Sequence, residues 1–104
     1  MARHEWAIVK TYDELVRTLY ARAEHLDVTR LSLDEVGGLP SGYSGKLLGA
    51  RRVKTCGAKS LFPLLGALGL ALALVEDPEA RRRHSSRLQP RRKNWVRNQH
   101  SAAA

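Results

Sequence analysis

Residues 29–48 read TRLSLDEVGGLPSGYSGKLL and contain the signals for two short helices and the turn between them. Thr29 precedes a short segment in which Leu33 and Val36 recur at helical spacing, so it is a candidate N-cap for a helix over 30–37. Gly38 stands just beyond that segment, at the position where a helix commonly ends in a left-handed residue. The pattern therefore predicts a short helix that ends in a glycine turn.

A second short helix is predicted directly after this turn. Ser41 is its candidate N-cap, and the helix runs to about Leu48, with Tyr43 and Leu47 spaced i and i+4 on one face. Two short helices joined by a tight turn that contains glycine form a helix-turn-helix arrangement.

The segments on either side complete a small helical domain. Thr11 caps a predicted helix over 12–26, in which apolar residues recur at helical spacing. Ser60 caps a predicted fourth helix over 61–68, and Pro63 then falls in its first turn, where proline is tolerated. Gly69 ends that helix.

Two apolar segments outside the helices favour a small β element. Residues 6–9 read WAIV, a short, apolar and partly β-branched segment, and residues 70–75 read LALALV, which is too short for an independent helix. An isolated strand is unstable, so we expect the two to pair, either within one chain or across a dimer.

Charge is strongly segregated along the chain. The 104 residues carry a formal charge of +8 and a pI near 10.4. Residues 36–75 hold five basic side chains and no acid, and residues 80–104 hold eight basic side chains and no acid. One basic face followed by a basic tail is the footprint expected of a nucleic-acid-binding protein.

The run TRLSLDEVGGLPSGYSGKLLGARR, followed by SLFPLLGALGL, resembles the lambda-repressor/Cro-like helix-turn-helix family. The shared features are the turn glycine, a Ser/Pro-rich start to the third helix, a tyrosine, a basic residue before an aliphatic one, and a last leucine-rich helix ending in ALG. The resemblance covers roughly residues 12–70. The sequence departs from the family pattern at Asp34, where a small residue is usual, at Ser44, where an aliphatic residue is usual, and at Leu48, where an acid is common.

The resemblance implies a mainly α fold: a lambda-repressor-like bundle of four to five short helices, to which we add the small β element at 6–9 and 70–75. We expect three parts: an N-terminal strand or arm over 1–11, the helix-turn-helix domain with its terminal strand over 12–78, and a basic, largely disordered tail over 79–104. A short helical extension from Pro78 is expected at the start of that tail.

The resemblance also implies that the start of the third helix enters the major groove of double-stranded DNA. The expected base-contacting residues are Ser41, Gly42, Gly45 and Lys46. Glycine in a helix costs up to about 1 kcal/mol relative to alanine, and a surface without side chains would let the helix backbone approach DNA closely. The expected phosphate-contacting residues are Tyr43, Arg51, Arg52, Lys54, Lys59, Arg91, Arg92, Lys93 and Arg97.

Simpler interpretations of the same residues stay open. Gly42 and Gly45 would also permit close helix packing, and Tyr43 would also serve as a core residue. Instead of contacting DNA, Lys46, Arg51 and Arg52 would form a solvated face. The tail would then be an unstructured end that keeps the chain soluble.

The sequence-based hypothesis is a homodimeric, sequence-specific DNA-binding transcriptional regulator of the cytoplasm, associated with the nucleoid. One alternative is a protein-interaction adaptor, antiactivator or antitoxin on a repurposed helix-turn-helix fold, whose toxin or regulator partner the sequence does not identify. Another is a nonspecific RNA- or DNA-binding basic protein.

No enzymatic, cofactor or metal function is indicated. The four histidines are widely separated, and Cys56 is the only cysteine, which excludes an intrachain disulfide and a four-cysteine zinc site. The most apolar run, residues 61–75, is shorter than the roughly 20 residues of a membrane span and contains proline and glycine, so we expect no membrane association.

Overall fold

The structure is a computed structural model that describes residues 4–49 and 55–91. Its first helix, α1, spans Tyr12–Leu26, as predicted. The hydroxyl of Thr11 accepts a hydrogen bond from the Glu14 amide at 3.1 Å and so satisfies one of the free donors at the helix start. The helix ends at Asp27, whose φ of 56° is left-handed. The predicted bounds and cap of this helix are confirmed.

Helix α2 spans Arg30–Gly37, also as predicted. Thr29 caps it by accepting a hydrogen bond from the Ser32 amide at 3.1 Å. Gly38 has a φ of 67°, and the next amide, that of Leu39, donates to the carbonyl of Asp34 at 2.8 Å. This is the Schellman geometry, in which the left-handed residue turns the chain and satisfies the last carbonyls of the helix.

Helix α3 spans Tyr43–Leu48 and begins two residues later than predicted. Its N-cap is Gly42, with a φ of 88°, and no side chain at the cap position accepts a hydrogen bond. The prediction that Ser41 caps this helix is therefore wrong. A left-handed residue is needed where the chain enters α3, and glycine adopts that conformation without steric strain.

Helix α4 spans Ala58–Ala67, so it begins three residues earlier than predicted, with Gly57 rather than Ser60 as its N-cap. Pro63 consequently lies in the second turn of α4 and not in its first turn. Because proline has no amide hydrogen, position 63 cannot make the usual helical hydrogen bond to the carbonyl four residues back. It ends at Ala67, one residue earlier than predicted, and Leu68 is its C-cap. Gly69 follows with a left-handed φ of 70°, and the Leu70 amide donates to the Leu65 carbonyl at 2.8 Å.

The predicted β element is not present. Neither residues 6–9 nor residues 70–75 form a strand, and the described part of the chain contains no strand at all. Short apolar segments adopt strand structure only when a neighbour completes the backbone hydrogen bonds, and these two segments do not pair with each other. In the N-terminal segment, Trp6 packs instead against α1, with the Arg22 guanidinium 5.4 Å from the centre of its ring.

The chain divides into two compact units, one ending at Ala73 and the other beginning at Leu74. The second unit contains helix α5, Pro78–His84, which is the helical extension expected from Pro78. The carboxylate of Asp77 caps it by accepting a hydrogen bond from the Ala80 amide at 3.2 Å.

The core of the first unit lies among α1, α2, α3 and α4. Helix α2 packs against both α3 and α4, and α1 packs against α3. Arg22 of α1 also reaches the end of α4, where its Nε donates to the Leu68 carbonyl at 2.9 Å. The buried apolar side chains are Val16, Leu19, Ala23, Leu33, Tyr43, Leu47, Leu48, Leu64, Leu65 and Leu68. A mainly helical fold is confirmed.

Candidate nucleic-acid interface

The start of α3 is held in place by a buried carboxylate on α2. Asp34 is only 2% exposed. One of its oxygens accepts a hydrogen bond from the Gly42 amide at 2.8 Å, and the other accepts one from the Ser44 amide at 2.9 Å. The first amides of a helix have no partner within the helix, and negative charge is favourable near them. Asp34 therefore caps α3 from the neighbouring helix, in place of a side chain at the N-cap itself.

This contact accounts for one of the departures from the helix-turn-helix pattern, the acid at position 34. Asp34 and Ser44 are unusual at their positions, and the structure joins them through the hydrogen bond to the Ser44 backbone. Ser44 is fully buried, and its hydroxyl has no hydrogen-bond partner among the described residues. The backbone amide of Ser44, rather than its hydroxyl, makes the contact that fixes the helix.

Helix α3 has a buried side and an exposed side. Tyr43, Leu47 and Leu48 point into the core, where Leu47 is 0% exposed. The four residues predicted to contact bases are all exposed: Gly45 and Lys46 lie on the other side of α3, and Ser41 and Gly42 lie just before its first residue. Residues three and four apart lie on one helix face, so Gly42, Gly45 and Lys46 form a continuous surface. We call these four residues the α3 surface.

The two glycines of the α3 surface need different explanations. Among the described residues, a Cβ atom at Gly42 or at Gly45 would meet no heavy atom within 4 Å, so neither glycine permits close packing of two described helices. That interpretation is wrong for both residues. Gly42 is explained by its positive φ, whereas Gly45 lies within α3 and has no packing or conformational need for glycine.

Tyr43 belongs to the core and not to the α3 surface. Its side chain is 6% exposed, and its hydroxyl lies beside the side chains of Ser60 and Cys56. Burial raises the pKa of Tyr43 above its ordinary value, and the neighbouring Cys56 adds to this rise. The burial argues against the phosphate contact expected for Tyr43 and supports its interpretation as a core residue.

Two of the other expected phosphate-contacting residues can be located. Lys59 is exposed in the first turn of α4, and Arg91 is exposed as the last described residue of the second unit. The remaining six lie outside the described residues: Arg51, Arg52, Lys54, Arg92, Lys93 and Arg97. Of the residues expected to contact DNA, the first unit thus contains the four of the α3 surface and Lys59, all of them exposed.

The Asp34 contact is the main feature that sequence reasoning missed. The signal was present, because an acidic residue stands at a position of α2 where a small residue is usual. From the sequence alone, this acid is only a departure from the family pattern. The sequence does not show that the backbone amides of Gly42 and Ser44 turn toward the carboxylate of Asp34.

Other kinds of site find no support in the described residues. Within residues 4–49 and 55–91, no three His, Cys, Asp or Glu side chains gather closely enough to hold a metal ion. Over the same ranges, no helix combines the length and apolar character needed to cross a membrane.

Comparisons with models of protein families, with curated proteins and with solved structures found no match. What the chain does is therefore inferred from its own residues.

Proposed function

We propose that the protein is a sequence-specific, double-stranded DNA-binding transcriptional regulator with a lambda-repressor-like helix-turn-helix domain. The observation that supports this most is the α3 surface: Ser41, Gly42, Gly45 and Lys46 are exposed together at the start of a short helix. That helix is fixed to α2 by the two hydrogen bonds of Asp34. In a helix-turn-helix protein, this end of the second helix of the motif enters the major groove.

The chemistry of the α3 surface suits base recognition by few side chains. The Lys46 ammonium can donate hydrogen bonds to guanine O6 and N7, and the Ser41 hydroxyl can contact a base or a phosphate. Gly45 presents bare backbone where a larger side chain would hold the helix away from the base edges. Few base-reading side chains predict limited direct readout.

Basic residues elsewhere in the chain would supply phosphate contacts, which position a protein on DNA without reading its sequence. Lys59 is exposed in the same unit as α3. The sequence adds Arg51, Arg52 and Lys54 in the connection between α3 and α4. No acid occurs between residues 36 and 75, so nothing in this stretch opposes a polyanion.

A single α3 covers only half of an operator, so we propose that the regulator acts as a homodimer on two half-sites. Most soluble oligomers are symmetric, and a two-fold dimer presents its two recognition helices to a palindromic site.

The adaptor function is the second candidate, and exposed apolar side chains on α2 and α4 favour it. Val36 of α2 is 74% exposed and Phe62 of α4 is 57% exposed. Helices α2 and α4 pack against each other, and exposed apolar patches are typical of protein-protein interfaces. Under this function the same helices would contact a protein partner rather than DNA.

Selection of duplexes from a random library at physiological salt tests the proposal. We expect the selected duplex to bind at least about a thousandfold more tightly than a scrambled duplex. We expect Lys46→Gln to reduce that ratio by about tenfold, since a good base contact contributes about 1–3 kcal/mol of discrimination.

The matched control is Arg17→Gln, which also removes one exposed positive charge but does so on α1, where Arg17 pairs with Asp13. It should leave the ratio unchanged. A wild-type protein without preference for any duplex would refute sequence-specific recognition, and the absence of all duplex binding would favour the adaptor function.

A further inference from the structure

The second unit carries an arginine cluster to which the proposed α3 site gives no role. Arg81, Arg82 and Arg83 occupy the last turn of α5, and Arg87 and Arg91 follow it. All of these side chains are exposed, and residues 80–91 contain no acid. We call Arg81, Arg82 and Arg83 the α5 arginines.

Helix stability alone does not account for the α5 arginines. Basic residues in the last turn are favourable to the helix dipole, by about 0.3–1 kcal/mol each. Three consecutive residues, however, spread over about 200° of a helix with 3.6 residues per turn, so they surround the end of α5 rather than line one side of it. No described carboxylate forms an ion pair with any of the three.

Packing does not account for them either. No residue from 74 to 91 is buried, so this unit has no core of its own in the described structure. A helix of seven residues is marginal in water without tertiary packing. The neighbouring positive charges repel one another, and a ligand that neutralises them would stabilise the helix.

The chemistry of α5 selects among the polyanions that could neutralise this cluster. Every basic residue from 81 to 91 except His84 is arginine, whose planar guanidinium donates paired hydrogen bonds to phosphate. Helix α5, PEARRRH, has no large apolar side chain to insert into a membrane or to anchor a protein interface. It also lacks the Phe, Tyr and Trp residues on which the bases of single strands stack. The phosphodiester backbone of a duplex needs none of these.

We propose that the α5 arginines form a second nucleic-acid-binding site, which holds the phosphates of duplex DNA independently of base sequence. The inference deepens the proposed function, since it assumes that duplex DNA is the ligand of this chain. The α3 surface then supplies discrimination between sequences, and the α5 arginines supply affinity for any duplex. Charge neutralisation also predicts that α5 becomes more helical in the complex.

The test is the salt dependence of duplex binding by the 104-residue chain and by its variant Arg81→Gln/Arg82→Gln/Arg83→Gln. Each phosphate contact adds about 0.9 to the slope of log affinity against log salt. We therefore expect the slope to become shallower by about 2.7, and affinity at about 0.1 M salt to fall by at least about tenfold on selected and scrambled duplexes alike. The control Arg17→Gln should change the slope by less than about 1, because that arginine lies on α1.

An unchanged slope in the triple variant would overturn the inference. So would a slope change seen with single-stranded DNA or with vesicles of anionic lipid but not with duplex. The proposed function fails separately, when the wild-type protein does not distinguish the selected duplex from the scrambled one. In that case the slope still shows whether the α5 arginines bind duplex phosphates.

Discussion

Asp34 is a charged side chain in the interior of a small domain, where burial of an unpaired carboxylate costs several kcal/mol. The cost is offset here because both oxygens accept backbone hydrogen bonds, from Gly42 and from Ser44. Hydrogen bonds to charged groups contribute more than neutral ones, about 1.5–3 kcal/mol each. The position of α3 against α2 thus depends strongly on one residue.

Replacement of Asp34 by alanine should lower the free energy of unfolding by about 3 kcal/mol, because two amides at the start of α3 lose a charged acceptor. Urea denaturation measures the change, provided that the dependence on denaturant is the same in both proteins. The matched control is Ser44→Ala, which removes a buried hydroxyl that has no partner among the described residues and should leave stability unchanged or raise it. A loss below about 0.5 kcal/mol in Asp34→Ala would show that this carboxylate does not fix α3.

At the scale of the element, the helices that carry their own caps could be predicted from the sequence. Thr11 and Thr29 cap α1 and α2 through side chains three residues from the bonded amide, so the signal is local. Helices α3 and α4 begin instead after Gly42 and Gly57, which have no side chain to cap the helix that follows. Their starts are set by the turn and by contacts from other helices, which local sequence does not reveal.

The same reasoning applies to the apolar segments 6–9 and 70–75, which were wrongly predicted as strands. Strand structure depends on a hydrogen-bonding neighbour, and an apolar pattern does not specify one. The exposure of the α3 surface, by contrast, could be predicted, because Tyr43 and Leu47 mark the opposite, buried side of the helix.

Helix α3 allows a test in which stability and DNA binding change in opposite directions. Gly45→Ala should stabilise the domain by up to about 1 kcal/mol, since the new methyl group meets open space and alanine favours the helix. The same methyl group should weaken binding to the selected duplex if the backbone at Gly45 approaches DNA closely. Thermal unfolding and duplex titration measure the two effects.

Gly42→Ala is the control for the Gly45 substitution within the same helix. Its φ of 88° strains any residue that carries a Cβ atom, so this variant should be less stable than wild type. If Gly45→Ala binds the selected duplex as tightly as wild type, the close approach at Gly45 is wrong.

At the scale of the whole molecule, the charge of +8 is distributed so that the two units would have different tasks. The first unit combines a packed helical core with the small α3 surface. The second has no buried residue among 74–91 and concentrates its arginines on α5 and just after it. Recognition by the first and phosphate binding by the second would together explain why a chain of this size is so basic.

A two-dimensional NMR titration of the ¹⁵N-labelled 104-residue chain with the selected duplex shows directly whether the α3 surface contacts DNA. We predict that the largest shifts in the first unit occur at the amides of Ser41, Gly42, Gly45 and Lys46. The exposed side of α1, represented by Arg17 and Glu24, should stay unchanged. If the amides of these four residues keep their chemical shifts in a saturated complex, the α3 surface does not contact DNA.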